Sequence, residues 1–279
     1  MKPLPLACAA GGVVALGGWL GYRGQEPTTL TFLAVGQGDC AVLQHGGRTV
    51  LIDAGPRVGG FDAGERIVVP RLRAMGVERV DLVVLTHPDM DHVGGTPAIL
   101  RAHPEARVAM SAEYRDDPEM RQHLKDWRLD PGRVTWIPKE ARAEVGPVRL
   151  QFYSPPYDQG QDSNVGSTFL RITTPEGASA VLTGDAPWEA ELQSMRGRDW
   201  TAQVLKAGHH GSRGSSAPAF LRAVRPSWLV VSCGRENMYG HPAPEVLQRA
   251  EEVGAEVART DQEGDVAFAL REGRFVRVR

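Results

Sequence analysis

From Thr29 onward the apolar positions fall in short runs whose period alternates between two and about 3.6, the pattern of strands interleaved with helices. Residues 30–35, 41–45 and 49–52 read as strands, and Gly46-Gly47 supplies a hairpin turn between the second and third. Residues 65–75 read as a helix: Val68, Leu72 and Met75 share one face, and Gly76 stops it. Pro70 implies that its first turn is kinked or that the helix starts later. The run 82–85 is wholly apolar, as a strand buried on both faces requires, and 95–102 is a short helix.

The second half repeats this grammar. Strands are expected at 133–137, 148–153, 168–173, 180–182, 202–206 and 228–231, and helices at 188–195, 217–223 and 244–253. Strands at 266–270 and 275–278 close the chain. The clearest loops are 116–118 and 155–163, and no repeat or low-complexity tract interrupts the pattern. Two β-sheets with helices outside them is the economical architecture, because each sheet needs its second face covered.

Composition changes little. A content of 42% hydrophobic and 24% charged residues is that of a folded globular protein, and a net charge of −2 gives no electrostatic argument for nucleic acid or acidic membranes. Cys8, Cys40 and Cys233 form no C-x-x-C pair, so neither a disulfide framework nor a thiolate metal site follows. The start of the chain says more. Between Lys2 and Arg23 the run from Leu4 to Tyr22 carries no charge and is just long enough to span a bilayer. Residues 1–23 therefore read as a membrane anchor or a secretory signal. The anchor is preferred, because the run ends without a small-x-small cleavage pattern. Residues 24–279 form the folded part, membrane-anchored or secreted.

The strongest chemical signal is Thr86-His87-Pro88-Asp89-Met90-Asp91-His92-Val93-Gly94-Gly95, beginning where the 82–85 strand ends. Two imidazoles and two carboxylates within six positions would crowd and repel without a divalent cation, whereas with one the crowding becomes coordination. Gly94 and Gly95 are expected to let the chain turn sharply into the next helix. Four further segments carry candidate polar groups: Leu51-Ile52-Asp53-Ala54-Gly55, Leu182-Thr183-Gly184-Asp185 and Lys206-Ala207-Gly208-His209-His210-Gly211-Ser212 at strand ends, and Tyr239-Gly240-His241-Pro242 before the Pro244 helix. Taken singly, Asp53 and Asp185 would be ordinary turn residues, and His241 is as easily a helix cap as a functional group. His45, His103 and His123 lie beside turn or charged residues and read as surface groups, and the tryptophans read as packing residues.

Together these segments resemble the metallo-β-lactamase superfamily, whose signature is H-x-H-x-D-H. His87, Asp91 and His92 match it, with Asp89 where a second histidine usually stands. That departure, the Val35-Gly36-Gln37-Gly38-Asp39 opening and the Lys206–Ser212 segment are similar to the extracellular hydrolase-like domain of the ComEC/Rec2 competence proteins, which serve DNA uptake. The resemblance implies an αββα four-layer sandwich, an extracytoplasmic domain and two divalent metal ions, Mn²⁺ or Zn²⁺. It implies His87, Asp89, Asp91, His92, Asp185 and one of His209 and His210 as ligands. His210 is preferred, and the reverse assignment stays open. Asp53 would brace the metal loop, and Asp91 would act in catalysis. His241, and with it Lys206 or Ser212, would meet a scissile phosphate. The superfamily often supplies another histidine before the bridging aspartate, yet none lies between His123 and His209; Asn164 and Ser167 in the segment 162–167 are the nearest counterpart.

The expected activity is metal-dependent phosphodiester hydrolysis, with DNA as substrate and a membrane DNA-uptake channel as partner. The alternatives are a metallohydrolase of another ester (a phosphocholine-type diester, a cyclic nucleotide or a lactone) and a non-catalytic assembly subunit. The sequence leaves the oligomeric state open.

Overall fold

The computed structural model describes residues 28–278, so the anchor or signal reading of 1–23 lies outside the described residues. Two mixed sheets stack face to face. The first has eight strands in the order Arg274–Arg277, Val266–Arg271, Thr29–Phe32, Ala41–His45, Arg48–Ile52, Leu82–Leu85, Arg107–Ser111 and Val134–Ile137. Pairing is antiparallel as far as Arg48–Ile52 and parallel beyond it. The second sheet has seven strands in the order Glu256–Arg259, Trp228–Val231, Val204–Lys206, Ser179–Leu182, Phe169–Thr173, Val148–Tyr153 and Glu140–Val145, parallel at its start and antiparallel from Ser179–Leu182 onward.

Side-chain alternation builds the layers. Phe32, Ile52, Val84, Leu182, Val204 and Val230 point into one core between the sheets. Their neighbours Leu51, Val83 and Leu85 face a second core under the helices Val69–Ala74, Thr96–Ala102 and Pro118–Asp126. Val181, Leu205 and Leu229 face a third, under Trp188–Ser194, Pro218–Val224 and Pro244–Glu252. A strand apolar on both faces is what such a sandwich demands, and the result is the four-layer αββα arrangement. Among the described residues no helix is long and apolar enough to cross a membrane.

The helix at 65–75 is met as Pro70 implied, with a later α-helical start at Val69 that continues from a π-helical turn over Gly64–Val68. Several local expectations are corrected. The expected loop 116–118 is the start of the helix Pro118–Asp126, capped by Asp117, whose Oδ1 accepts the Met120 N–H at 2.9 Å. The strands Arg107–Ser111, Glu140–Val145 and Glu256–Arg259 were not expected. In Glu140–Val145 the helix-favouring residues Glu, Ala and Arg hide an edge strand whose Ala141, Ala143 and Val145 alternate into the core. His45 and His123 are part-buried and His103 is buried. The imidazole of His123 donates to the Pro88 carbonyl at 2.9 Å, inside the candidate metal loop.

Candidate metal centre

The parallel strands of both sheets deliver their C-terminal ends to one edge of the sandwich. Leu82–Leu85 ends at Thr86-His87, Ser179–Leu182 leads to Asp185, and Val204–Lys206 leads to His209-His210. Asp89 precedes the helix Met90–Val93 in an extended conformation, and its carboxylate makes no capping bond, so it is free for other work. The helix's first turn carries Asp91 and His92. Gly94 and Gly95 do not make the expected sharp turn, since both adopt helical backbone angles. They are needed for close approach: a Cβ would lie 2.4 Å from the Arg57 nitrogen at Gly94 and 2.1 Å from the Ala54 oxygen at Gly95. Gly184 combines both demands, with φ +54° and a Cβ position 2.9 Å from the Thr86 side chain.

Within this edge His87, Asp91 and His92 bring one donor atom each within 4.8 Å of one another, as do Asp39, His92, Asp185 and His210. His92 Nε2 is 3.2 Å from Asp185 Oδ1, and His210 Nε2 is 3.2 Å from Asp185 Oδ2 and 3.1 Å from Asp91 Oδ2. Asp89 and His209 stand at the rim. Asp89 Oδ2 is 3.6 Å from His87 Nε2, and His209 Nε2 is 3.7 Å from Asp185 Oδ2. His209 and His210 both have left-handed backbones, which sets their rings 73° apart, one at the mouth and one in the buried cluster.

The outer contacts choose which nitrogen faces inward. The Nδ1–H of His92 donates to Asp53 Oδ2 at 2.8 Å, and that of His210 donates to the Ser232 carbonyl at 3.0 Å. Both rings therefore present Nε2 to the centre. Asp53 also accepts the Thr86 N–H at 2.8 Å and the Thr86 hydroxyl at 2.9 Å, so one carboxylate holds the loop and the imidazole together. Asp39, to which the sequence reading gave no role, lies behind the imidazoles, 3.4 Å from His210 Nδ1 and 3.8 Å from His92 Nδ1.

Lys206 requires a correction. It is only 2% exposed, and its ammonium pairs with Asp39, lies 3.5 Å from Asp185 Oδ1 and donates to the Gly184 carbonyl at 3.1 Å. So committed, it holds carboxylates from behind and does not meet a substrate phosphate. Ser212 turns into its own loop, accepting the Gly214 N–H at 3.4 Å. Ser163, also missed, donates to Asp89 Oδ1, and Ser167 Oγ accepts the Asp185 N–H at 3.1 Å. Asn164 Oδ1 is buried and makes no hydrogen bond.

Burial by itself would raise the carboxylates and lower the imidazoles. For Asp185 the facing His210, His92 and Lys206 overcome burial and hold it well below the carboxylate range, and for Asp91 His92 and His210 do the same. In return, Asp185 lifts both His92 and His210 well above the usual imidazole value. His241 moves the other way: burial lowers it, and His210 and His209 add to the effect. The decisive observation is unmet bonding capacity. The Nε2 atoms of His87 and His92 and Oδ1 of Asp185 are buried with no hydrogen-bond partner, although such groups are normally satisfied. A divalent cation displaces the imidazole protons and takes the lone pairs of imidazole and carboxylate that then face inward, so the residues fit a metal.

This chain belongs to the metallo-beta-lactamase superfamily, whose family model matches residues 33–235. It is 30% identical to ComE operon protein 3 of Bacillus subtilis over 85% of this chain and 32% of that protein. It is 31% identical to competence protein ComA of Neisseria gonorrhoeae over 98% of this chain and 37% of that protein. The chain thus spans about a third of the length of these curated relatives. The solved metallo-beta-lactamase fold protein YhfI from Bacillus subtilis superposes with a TM-score of 0.59 at 14% identity, covering 86% of this chain and 99% of that one, a likeness of fold. Fold and cluster together define a metal-dependent hydrolase of this superfamily, related to competence proteins.

Proposed function

We propose that this chain is a two-metal phosphodiesterase that cleaves DNA during DNA uptake. The observation that carries the reading is the convergence of unpartnered His87 Nε2, His92 Nε2 and Asp185 Oδ1 beside Asp91 and His210. His87, Asp89 and Asp185, with His209 at the rim, would hold one divalent cation. Asp91, His92, Asp185 and His210 would hold the other. Charge supports the number: Asp39, Asp53, Asp89, Asp91 and Asp185 set five carboxylates against the single ammonium of Lys206, an excess that two divalent cations balance. Mn²⁺ or Zn²⁺ suits this mixture of imidazole and carboxylate, and when bound supplies Lewis-acid activation of water and of the phosphoryl group.

The chain's own residues do the positioning. Asp53 fixes the tautomer of His92, Ser232 fixes that of His210, and Lys206 braces Asp39 and Asp185. At the mouth the rings of His209 and His241 lie 6.0 Å apart, where both can meet a substrate's phosphate oxygens. DNA is preferred as substrate because the relatives include a protein named for competence. Residues 1–23 would hold the domain at the membrane, or deliver it outside the cytoplasm, beside a channel protein.

The test uses the full chain with Mn²⁺ on three substrates: linear single-stranded DNA, a simple phosphodiester and a lactone. The reading expects metal-dependent DNA cleavage that Asp91→Ala abolishes. Cleavage of the small esters alone would contradict DNA as substrate, and no metal-dependent hydrolysis of any substrate would leave an assembly role.

A further inference from the structure

We propose that Tyr239 is a stacking platform for a nucleobase next to the scissile phosphate of single-stranded DNA; this rests on the DNA reading above. Large apolar side chains are ordinarily hidden, yet Met238 is 89% and Tyr239 64% exposed. The Tyr239 ring stacks on His241 at 5.7 Å and 26°, His241 faces His209 at 6.0 Å, and His209 Nε2 reaches Asp185 at 3.7 Å. A continuous path of rings therefore runs from the buried carboxylate to an open aromatic surface.

The segment that carries them is braced. Asn237 Nδ2 donates to the carbonyls of Gly234 at 2.9 Å and His241 at 2.7 Å, while its Oδ1 accepts the His241 N–H at 2.9 Å. The Gly234 N–H donates to Gln37 Oε1 at 3.1 Å, tying the segment to the loop that carries Asp39. A ring held out to solvent by a fixed backbone loses little freedom when it binds a flat partner. Every nucleobase offers such a face. Among the described residues the tryptophans pack against the cores and offer no comparable surface: Trp200 is buried, and Trp127, Trp136, Trp188 and Trp228 are part-buried.

The experiment measures binding and Mn²⁺-dependent cleavage of a short oligothymidylate and of the same strand with abasic positions, by the full chain, Tyr239→Ala and Tyr239→Phe. We expect wild type to bind the base-bearing strand about tenfold more tightly, the order of one stacked base. Tyr239→Ala should erase that preference, and Tyr239→Phe, which keeps the ring, should restore it. Cleavage with equal affinity for both strands in wild type and Tyr239→Ala would overturn the platform and leave the DNA reading standing. Absence of cleavage of either strand by wild type would overturn both.

Discussion

Asp53 Oδ2 lies 2.8 Å from His92 Nδ1, and this one contact decides which imidazole nitrogen faces the candidate metals. Asp53 has φ +62°, a left-handed conformation that asparagine also tolerates. Asp53→Asn therefore keeps the backbone and removes the charge. We predict that it lowers metal affinity about 10- to 100-fold, read by metal titration, while circular dichroism stays native.

The Lys206–Asp39 pair gives a second expectation. Removing one member of a buried pair leaves the other uncompensated, at about 3–5 kcal/mol. Lys206→Met should be destabilised by that order in denaturant unfolding, and Lys206→Met/Asp39→Asn should recover most of the loss. Additive losses in the double variant would contradict the pairing.

Chelation should destabilise the fold. Stripped of cations, the inward atoms of His87, His92 and Asp185 make no hydrogen bond and are left to ion pairing alone. A cation present at 100 times its Kd adds about 2.7 kcal/mol, so EDTA should lower the Tm by about 5–10 °C for a domain of this size. An unchanged Tm would show that the cluster binds no cation tightly.

A fourth prediction lies away from the centre. Burial pushes Glu191 up to about 7, against the pull of the Ala217 and Ser216 N–H groups, each 2.7 Å from its carboxylate. Its folded pKa thus exceeds its unfolded value of 4.5. The folded chain then binds more protons between these values, and the group's contribution is present below pH 4.5 and lost as pH rises through about 7. The loss is of the order of 3 kcal/mol. The stability difference between wild type and Glu191→Gln should therefore shift by that amount from pH 4.5 to 8; a difference independent of pH would contradict it.

Much of this was legible in the residues. The wholly apolar run at Leu82–Leu85 and the polar cluster after it needed no long-range information, because each follows from a short stretch of chain. Asp39, Ser163 and His123 were not legible as parts of the site, because each acts through a partner distant in sequence: Lys206, Asp89 and the Pro88 carbonyl. Lys206 was misread for a related reason. Its position after a strand in a histidine-rich motif shows that it reaches the site, but only packing shows that it does so from beneath. The edge strand Glu140–Val145 was hidden by its own composition, since its exposed face carries charge and its buried face only alanine and valine.

The central claim is most directly tested by the metal content of the purified full chain, measured by inductively coupled plasma mass spectrometry after incubation with Mn²⁺ or Zn²⁺ and desalting. The account predicts about two divalent ions per chain, as a paired-cation site requires, and fewer in Asp185→Ala. A wild-type chain that retains no stoichiometric metal would contradict it.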